Sequence, residues 1–157
     1  IGFRSQFLTM TSGSGIMTHI FDHYGPVTTA VLAARQNGVL VSMVTGKSLA
    51  YALHALQERG RLFLDPNIQV YEGQIVGLHS RGNDLVVNPT KAKQLTNVRA
   101  SGTDEALTLS PPVKHTLEQA LEFIEEDELV EVTPESIRLR KKWLLEHERK
   151  RASRSAA

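Results

Sequence analysis

Residues 69–87, QVYEGQIVGLHSRGNDLVV, decide the fold class. Gln69 to His79 has strand character, Gly82-Asn83 offers the positive-φ first position of a two-residue turn, and Leu85-Val86-Val87 continues beyond it, so a β-hairpin is predicted. Upstream, Val39 to Val44 is strand-like. Ser48 is placed to cap a helix that carries Leu49, Leu53 and Leu56 on one face, Gly60 stands just beyond its end, and Arg61 to Leu64 reads as a short strand.

Downstream of Pro111-Pro112, Thr116 and Gln119 form the S/T-x-x-E/Q capping box. Leu117, Ala120, Leu121 and Ile124 follow at i, i+3, i+4 and i+7, which predicts a helix. Val130 and Val132 alternate with Glu131, and Ile137 and Leu139 with Arg138 and Arg140. The Thr133-Pro134-Glu135-Ser136 between them predicts a second hairpin, while the same four residues also suit a helix start with Pro at its first position. A basic helix is expected from Trp143 to Ser153. The class that results is α+β, with a mixed or antiparallel sheet, packed helices and a long protruding loop.

The N-terminal stretch reads differently. Phe3, Phe7 and Met10 are spaced for a helix that ends at Gly13-Ser14-Gly15, and Ile16 to Tyr24, closed by Gly25-Pro26, is rich in β-branched and aromatic residues and predicts a strand. The chain opens IGFRSQFLTM, without an initiator Met or a basic-then-apolar leader, so no secretory signal is expected and the sequence reads as a piece of something longer.

With 157 residues, 41% of them hydrophobic and 22% charged, the chain can bury a real core. Its longest apolar runs, such as Val39 to Val44 with Ser42 inside, fall far short of the roughly 20 residues a bilayer needs, so no membrane partner is expected. Cysteine is absent, which excludes disulfides, thiolate nucleophiles and Cys-type zinc sites and makes the cytoplasm the default location. The net charge of +1 hides a separation of signs: eight acids and no base lie between Thr116 and Ile137, and eight bases stand against Glu146 and Glu148 between Arg138 and Arg154. The basic end suits an anionic partner or a solvated tail.

No catalytic constellation emerges. Gly46-Lys47-Ser48 imitates the end of a phosphate loop, but the first glycine of that motif would be residue 41, which is Val41. His19 and His23 on a strand would lie about 13 Å apart with Asp22 on the opposite face, too far to share an ion. Ser101, Asp104 and His115 lack the elbow that makes a serine nucleophilic. Catalytic, metal and cofactor sites are therefore all assigned as none for this chain, and no small-molecule substrate is expected.

What remains is VVNPTKAKQLTNVRASGTDEALTLSPP, residues 86–112, which fits no regular element. Nineteen residues from Pro89 to Leu107 without apolar periodicity exceed what a compact domain usually spends on passive connection. Lys91, Lys93 and Arg99 can meet phosphates, and Asn88, Gln94, Thr96, Asn97, Ser101 and Thr103 can hydrogen-bond sugars or bases. The absence of aromatics argues against base stacking.

Several blocks resemble a known family: GFRSQFLTMTSGSG at 2–15, FDHYGPV at 21–27, RQNGVLVS at 35–42, YALHALQERGRLF at 51–63, VYEGQIVGLHSRGNDLVVNPTKAKQLTNVRASGTDEA at 70–106 and LEQALEFIEEDELVEVTPESIRLRKK at 117–142. They are similar to the C-terminal part of the BipA (TypA) translational GTPases, bacterial relatives of elongation factor G. The resemblance implies that residues 1–27 are the last helix and strand of a ferredoxin-like domain V, and that 28–157 are the family's own C-terminal domain with a mobile loop at 88–110 and a basic tail. It also implies a monomer that binds the ribosome, at large-subunit rRNA and the acceptor end of A-site tRNA, with roles in ribosome assembly and stress response. GTP and Mg would belong to a G domain outside this chain. Arg81, Lys91, Lys93, Gln94, Asn97 and Arg99 match the loop block and are expected to contact RNA, with Arg35, Lys47, Lys141 and Lys142 as second-tier candidates. The competing expectation is a protein-interaction module that docks a basic partner through the acidic helix 117–126.

Overall fold

A computed structural model describes residues 3–26, 35–93 and 107–156. The chain falls into two compact units, Ile1–Arg35 and Gln36–Ala157.

In the first unit, α1 (Phe3–Met10) forms as its aromatic spacing predicts. Its end is closed by Ser12 and Gly13 at φ 52 and 81, with Gly13 N donating to Leu8 O at 2.7 Å and Thr11 Oγ1 to Phe7 O at 2.8 Å. The strand expected over Ile16 to Tyr24 is absent: residues 14–26 form no ladder. Strand propensity has no effect without a neighbour to bond, and among the described residues none pairs here, so Ile16, Ile20 and Tyr24 stand 89%, 92% and 94% exposed.

The second unit is built on a mixed sheet of six strands. β1 (Val39–Ser42), β3 (Gly60–Leu62), β5 (Gln74–His79), β6 (Leu85–Val87), β7 (Glu128–Val132) and β8 (Ile137–Lys141) are arranged in the order β6-β1-β5-β8-β7, with β3 also paired to β5. A small antiparallel pair, β2 (Gly46–Lys47) with β4 (Gln69–Val70), lies apart from it. β1 is buried along its whole length, which the pleat explains once both faces are covered. Leu40 points to one side with Leu53, Leu62, Leu64, Val70, Val76 and Val87, and Val39 and Val41 point to the other with Ile75, Ala120 and Leu139. Helix α2 (Ala50–Leu56) covers the first face through Leu53, and α3 (Leu117–Phe123) covers the second through Ala120 and Phe123. Each such aliphatic side chain taken fully out of water contributes about 1.5–3 kcal/mol.

The predicted hairpin over 69–87 is not formed. β6 is parallel to β1, with Leu40 opposite Leu85 and Ser42 opposite Val87, and β1 lies between β6 and β5. Neither Gly82 nor Asn83 takes the positive φ that a two-residue hairpin turn needs. The residues around them hold β1 instead: Asp84 Oδ1 accepts from Val39 N at 2.9 Å, Arg81 O from Gly38 N at 2.8 Å, and His79 O from the Asn37 amide at 2.9 Å.

Ser48 does not cap α2. Leu49 holds the cap position without a side-chain bond, and Ser48 is fully buried, donating to Asp65 O at 2.9 Å and accepting from Ile68 N at 3.0 Å. The hydroxyl that could end a helix is consumed in joining the chain to the β4 approach.

The C-terminal expectations fare better. α3 carries the full capping box, Thr116 Oγ1 accepting from Gln119 N at 3.3 Å and Gln119 Oε1 from Thr116 N at 3.0 Å. Its buried stripe is narrower than the periodicity suggests, because Leu117 and Leu121 are 44% and 55% exposed while Ala120 is sealed. β7 and β8 pair in register from Glu128 opposite Lys141 to Val132 opposite Ile137, and Thr133 and Ser136 close the turn, which settles the Thr133–Ser136 segment as a hairpin. α4 (Glu146–Ala156) begins three residues later than Trp143. No helix among the described residues is long and apolar enough to cross a membrane.

Candidate nucleic-acid interface

β6 runs straight into the segment that fits no element, and the structure shows how that segment is rooted. Asn88 turns on its own side chain, Oδ1 accepting from Thr90 N at 2.9 Å and Thr90 Oγ1 at 2.8 Å. Pro89 is fully buried, and its carbonyl accepts from Leu49 N, at the start of α2, at 2.9 Å. Immediately beyond, Lys91 and Lys93 are exposed.

The returning leg is gripped at the other end of the same helix. Gln57, at the C-cap of α2, donates from Nε2 to Thr108 O at 3.0 Å and accepts at Oε1 from Ser110 N at 3.1 Å. Leu109, between them, packs on the Leu40–Leu53 core, and Val113 N donates to Leu62 O at 2.8 Å. The two roots thus sit at opposite ends of α2, from Leu49 to Gln57, separated by about 12 Å at 1.5 Å per residue. A rigid helix therefore holds apart the ends of a long excursion.

The candidate residues distribute unevenly around this platform. Gly46 packs against Thr90, where an added Cβ would meet Thr90 Cγ2 at 3.2 Å, so exposed Lys47 flanks the same root as Lys91. Arg81 is exposed but precedes β6, whereas Lys91 follows it, so the two flank opposite ends of a strand about 10 Å long. Arg35, partly exposed, belongs to the first unit. Lys142 is exposed, with Nζ 5.2 Å from the Trp143 ring centroid. Gln94, Asn97 and Arg99 lie outside the described residues.

Lys141 is not available to RNA. It is 2% exposed, and its ammonium contacts Asp84 Oδ2 at 2.6 Å, Asp127 Oδ2 at 2.8 Å and Glu128 Oε1 at 2.9 Å. Burial by itself would lower the Lys141 pKa, but hydrogen bonds to Asp127 and Asp84 and the charge of Glu128 outweigh it and raise it above the ordinary 10.5. Its position was legible from the alternation in β8: Ile137, Leu139 and Lys141 share a face, and Leu139 is core. Glu125, Asp127 and Glu128 are, among the described residues, the one acidic group with metal-ligand spacing, and the Lys141 ammonium supplies the countercharge there.

Sequence reasoning missed Gln57 altogether. A glutamine just past the last leucine of a short helix has no periodic or capping signature, and only the fold reveals its partners fifty residues away. It also missed Asp84, whose two carboxylate oxygens join β1 to Lys141.

Comparison with known proteins addresses the family. The sequence model of the TypA/BipA C-terminal domain matches residues 37–146. The chain is 61% identical over 155 residues to the large ribosomal subunit assembly factor BipA of Haemophilus influenzae, 60% to that of Escherichia coli K12, and 57% over 154 residues to that of Buchnera aphidicola. These alignments cover 98–99% of this chain but only 25–26% of those relatives, so the chain spans about a quarter of their length. With a family model over most of its second unit and such identity throughout, the chain belongs to the TypA/BipA family and contains its C-terminal domain.

Proposed function

We propose that this chain is the ribosome-binding part of a translational GTPase, and that it contacts large-subunit rRNA and the acceptor end of A-site tRNA through the loop that leaves β6. Residues 1–27 are then the end of an elongation-factor-G-like domain V, GTP and Mg are handled by a G domain elsewhere in the parent protein, and the work of this chain is binding. The observation that carries this is the anchoring of both loop roots on α2, with Lys91 and Lys93 exposed at the point of departure. A phosphate-contacting loop needs such a base, because fixing its roots removes part of the ordering cost that binding must otherwise offset. Small side chains and an absence of aromatics suit entry into a narrow RNA cleft, with cations neutralising phosphates as they arrive. Lys91, Lys93, Gln94, Asn97 and Arg99 act in that contact, Lys47 supports it from beside the root, and Arg81, Arg35 and Lys142 serve more distant phosphates. The relatives' name, large ribosomal subunit assembly factor, accords with a ribosomal partner.

The test uses the full-length factor and purified ribosomes. Replacing Lys91, Lys93 and Arg99 by Ala is expected to weaken binding and to flatten its salt dependence by about two, at roughly 0.7–0.9 per phosphate contact. Unchanged affinity and slope would sink the loop assignment.

One observation favours a second reading. Leu117 and Leu121 are exposed on α3 beside Glu118 and Glu122, a mixed apolar and acidic face that suits a basic protein. Ribosome binding that survives the loop substitutions but is lost when Glu122, Glu125 and Glu126 become Gln would select it.

A further inference from the structure

The eight bases of the C-terminal segment do not behave as one tail. Lys141 is buried, and α4 sorts the four bases that it carries. At 100° per residue, His147, Lys150, Arg151 and Arg154 fall within an arc of about 100°, and all four are exposed, while Glu148, Arg149 and Ala152 on the other side are half-buried. Arg149 turns back to the chain before the helix, donating to Trp143 O at 3.1 Å and to Leu144 O. Glu72 Oε1 accepts from Glu146 N at 3.3 Å. Gly73, at φ +86, lies so close beneath Leu144 that a Cβ would come within 2.6 Å of its Cα. The start of the helix is therefore tied to the turn before β5, at Glu72 and Gly73.

A charge run on a terminal helix is most often only a solvated face. Here the acids leave most of the stripe clear: Glu146 stands at its edge and pairs with Lys150 at 2.5 Å, Glu148 lies on the inner side, and Arg151 and Arg154 have no ion-pair partner among the described residues. At the base of the helix stands half-exposed Trp143, with the Lys142 ammonium over its ring. From His147 to Arg154 the helix advances about 10 Å, a length over which one strand of a duplex presents more than one phosphate.

We infer that α4 is a second RNA contact, independent of the loop, which lays Lys150, Arg151 and Arg154 along the phosphates of one strand of an RNA duplex with Trp143 at its end. This rests on the reading that the chain binds RNA, and it adds a surface that the loop does not contain. Regular duplex is the fitting class because a straight row of cations matches a regular row of phosphates, and an A-form helix offers side chains little base edge to read.

The test measures binding of the full chain to an RNA duplex of about 18 base pairs, with salt titration and with fluorescence of Trp143, the only tryptophan, as a local readout. K150Q/R151Q/R154Q is expected to lose at least tenfold in affinity and about two in salt slope. K150R/R151K/R154K, which keeps the charges, should bind like the parent chain and controls for misfolding. The variant with Lys91, Lys93 and Arg99 changed to Ala should keep the Trp143 response. Unchanged affinity and slope in the glutamine variant would overturn the proposal, as would a Trp143 response to anionic phosphatidylglycerol vesicles or to an acidic peptide but not to the duplex. Loss confined to the loop variant would overturn the α4 contact and spare the loop reading; loss confined to the α4 variant would support the α4 contact and leave the loop reading to its own ribosome-binding test.

Discussion

Lys141 Nζ lies 2.9 Å from Glu128 Oε1, and neither side chain is more than 2% exposed. Asp127, at 2.8 Å, and Asp84, at 2.6 Å, complete the shell. Asp84 also holds the first amide of β1, so one ammonium joins the β7–β8 hairpin to the entry of β1 and to the approach to β6.

Removing that ammonium strands a buried carboxylate. Lys141→Met is expected to cost about 3–5 kcal/mol, the usual penalty for breaking a buried pair from one side. Urea denaturation measures it, and the double variant K141M/E128Q should recover part of the loss because it leaves no buried charge behind. A single variant as stable as the parent chain would contradict the picture.

Two groups should make the fold sensitive to alkali. Burial and a hydrogen bond to Glu131 at 2.7 Å raise the Tyr71 phenol above its ordinary 10.0. Lys141 is raised above 10.5 by its three carboxylates in spite of burial, which would lower it. In each case the folded chain keeps a proton that the unfolded chain has lost, so the stabilisation is whole below about pH 10 and declines as pH climbs beyond it. The urea midpoint should hold level to that point and then fall, and Tyr71→Phe should remove part of the fall. A midpoint that rises above pH 10 would be the contrary result.

Gln57 is the residue whose loss should loosen the loop without touching its charges. Gln57→Ala removes two hydrogen bonds to the returning leg, each with a net value of about 1 kcal/mol. Exchange of the Ser110 amide should accelerate roughly tenfold, while the Val113 amide, bonded to Leu62 O, should change much less. Equal acceleration at both would show that the leg opens as a unit and that Gln57 is not its hold.

Much of the architecture could be read ahead of the coordinates wherever a local pattern decided the matter. The Thr116–Gln119 box set the start of α3, and Val130–Leu139 alternation set a hairpin with a Pro-containing turn. Errors arose where a distant partner overruled the local signal. Gly82-Asn83 looks like a hairpin turn until β1, forty residues upstream, takes the edge of β5. Ser48 looks like a cap until Asp65 and Ile68 claim its hydroxyl. Ile16 to Tyr24 looks like a strand, but strand character needs a neighbour. At the candidate site, the exposed cations Lys91 and Lys93 were legible from composition and loop length. Lys141 was misplaced because its charge was weighed and its register beside Leu139 was not.

The parallel pairing of β6 with β1 sets an order of assembly. Ser42 and Val87 are neighbours across the ladder, yet everything from β2 to β5 lies between them in the chain. Such non-local pairing is slow, since its loop closure must be met before its contacts form. On a growing chain, β1, α2 and β5 are all made before β6, which then finds its edge on β1. The segment that follows β6 therefore has both of its roots only where β6 and α2 are both in place. A half-folded molecule would carry the same lysines without a platform to present them, so competence to bind would mark a finished domain.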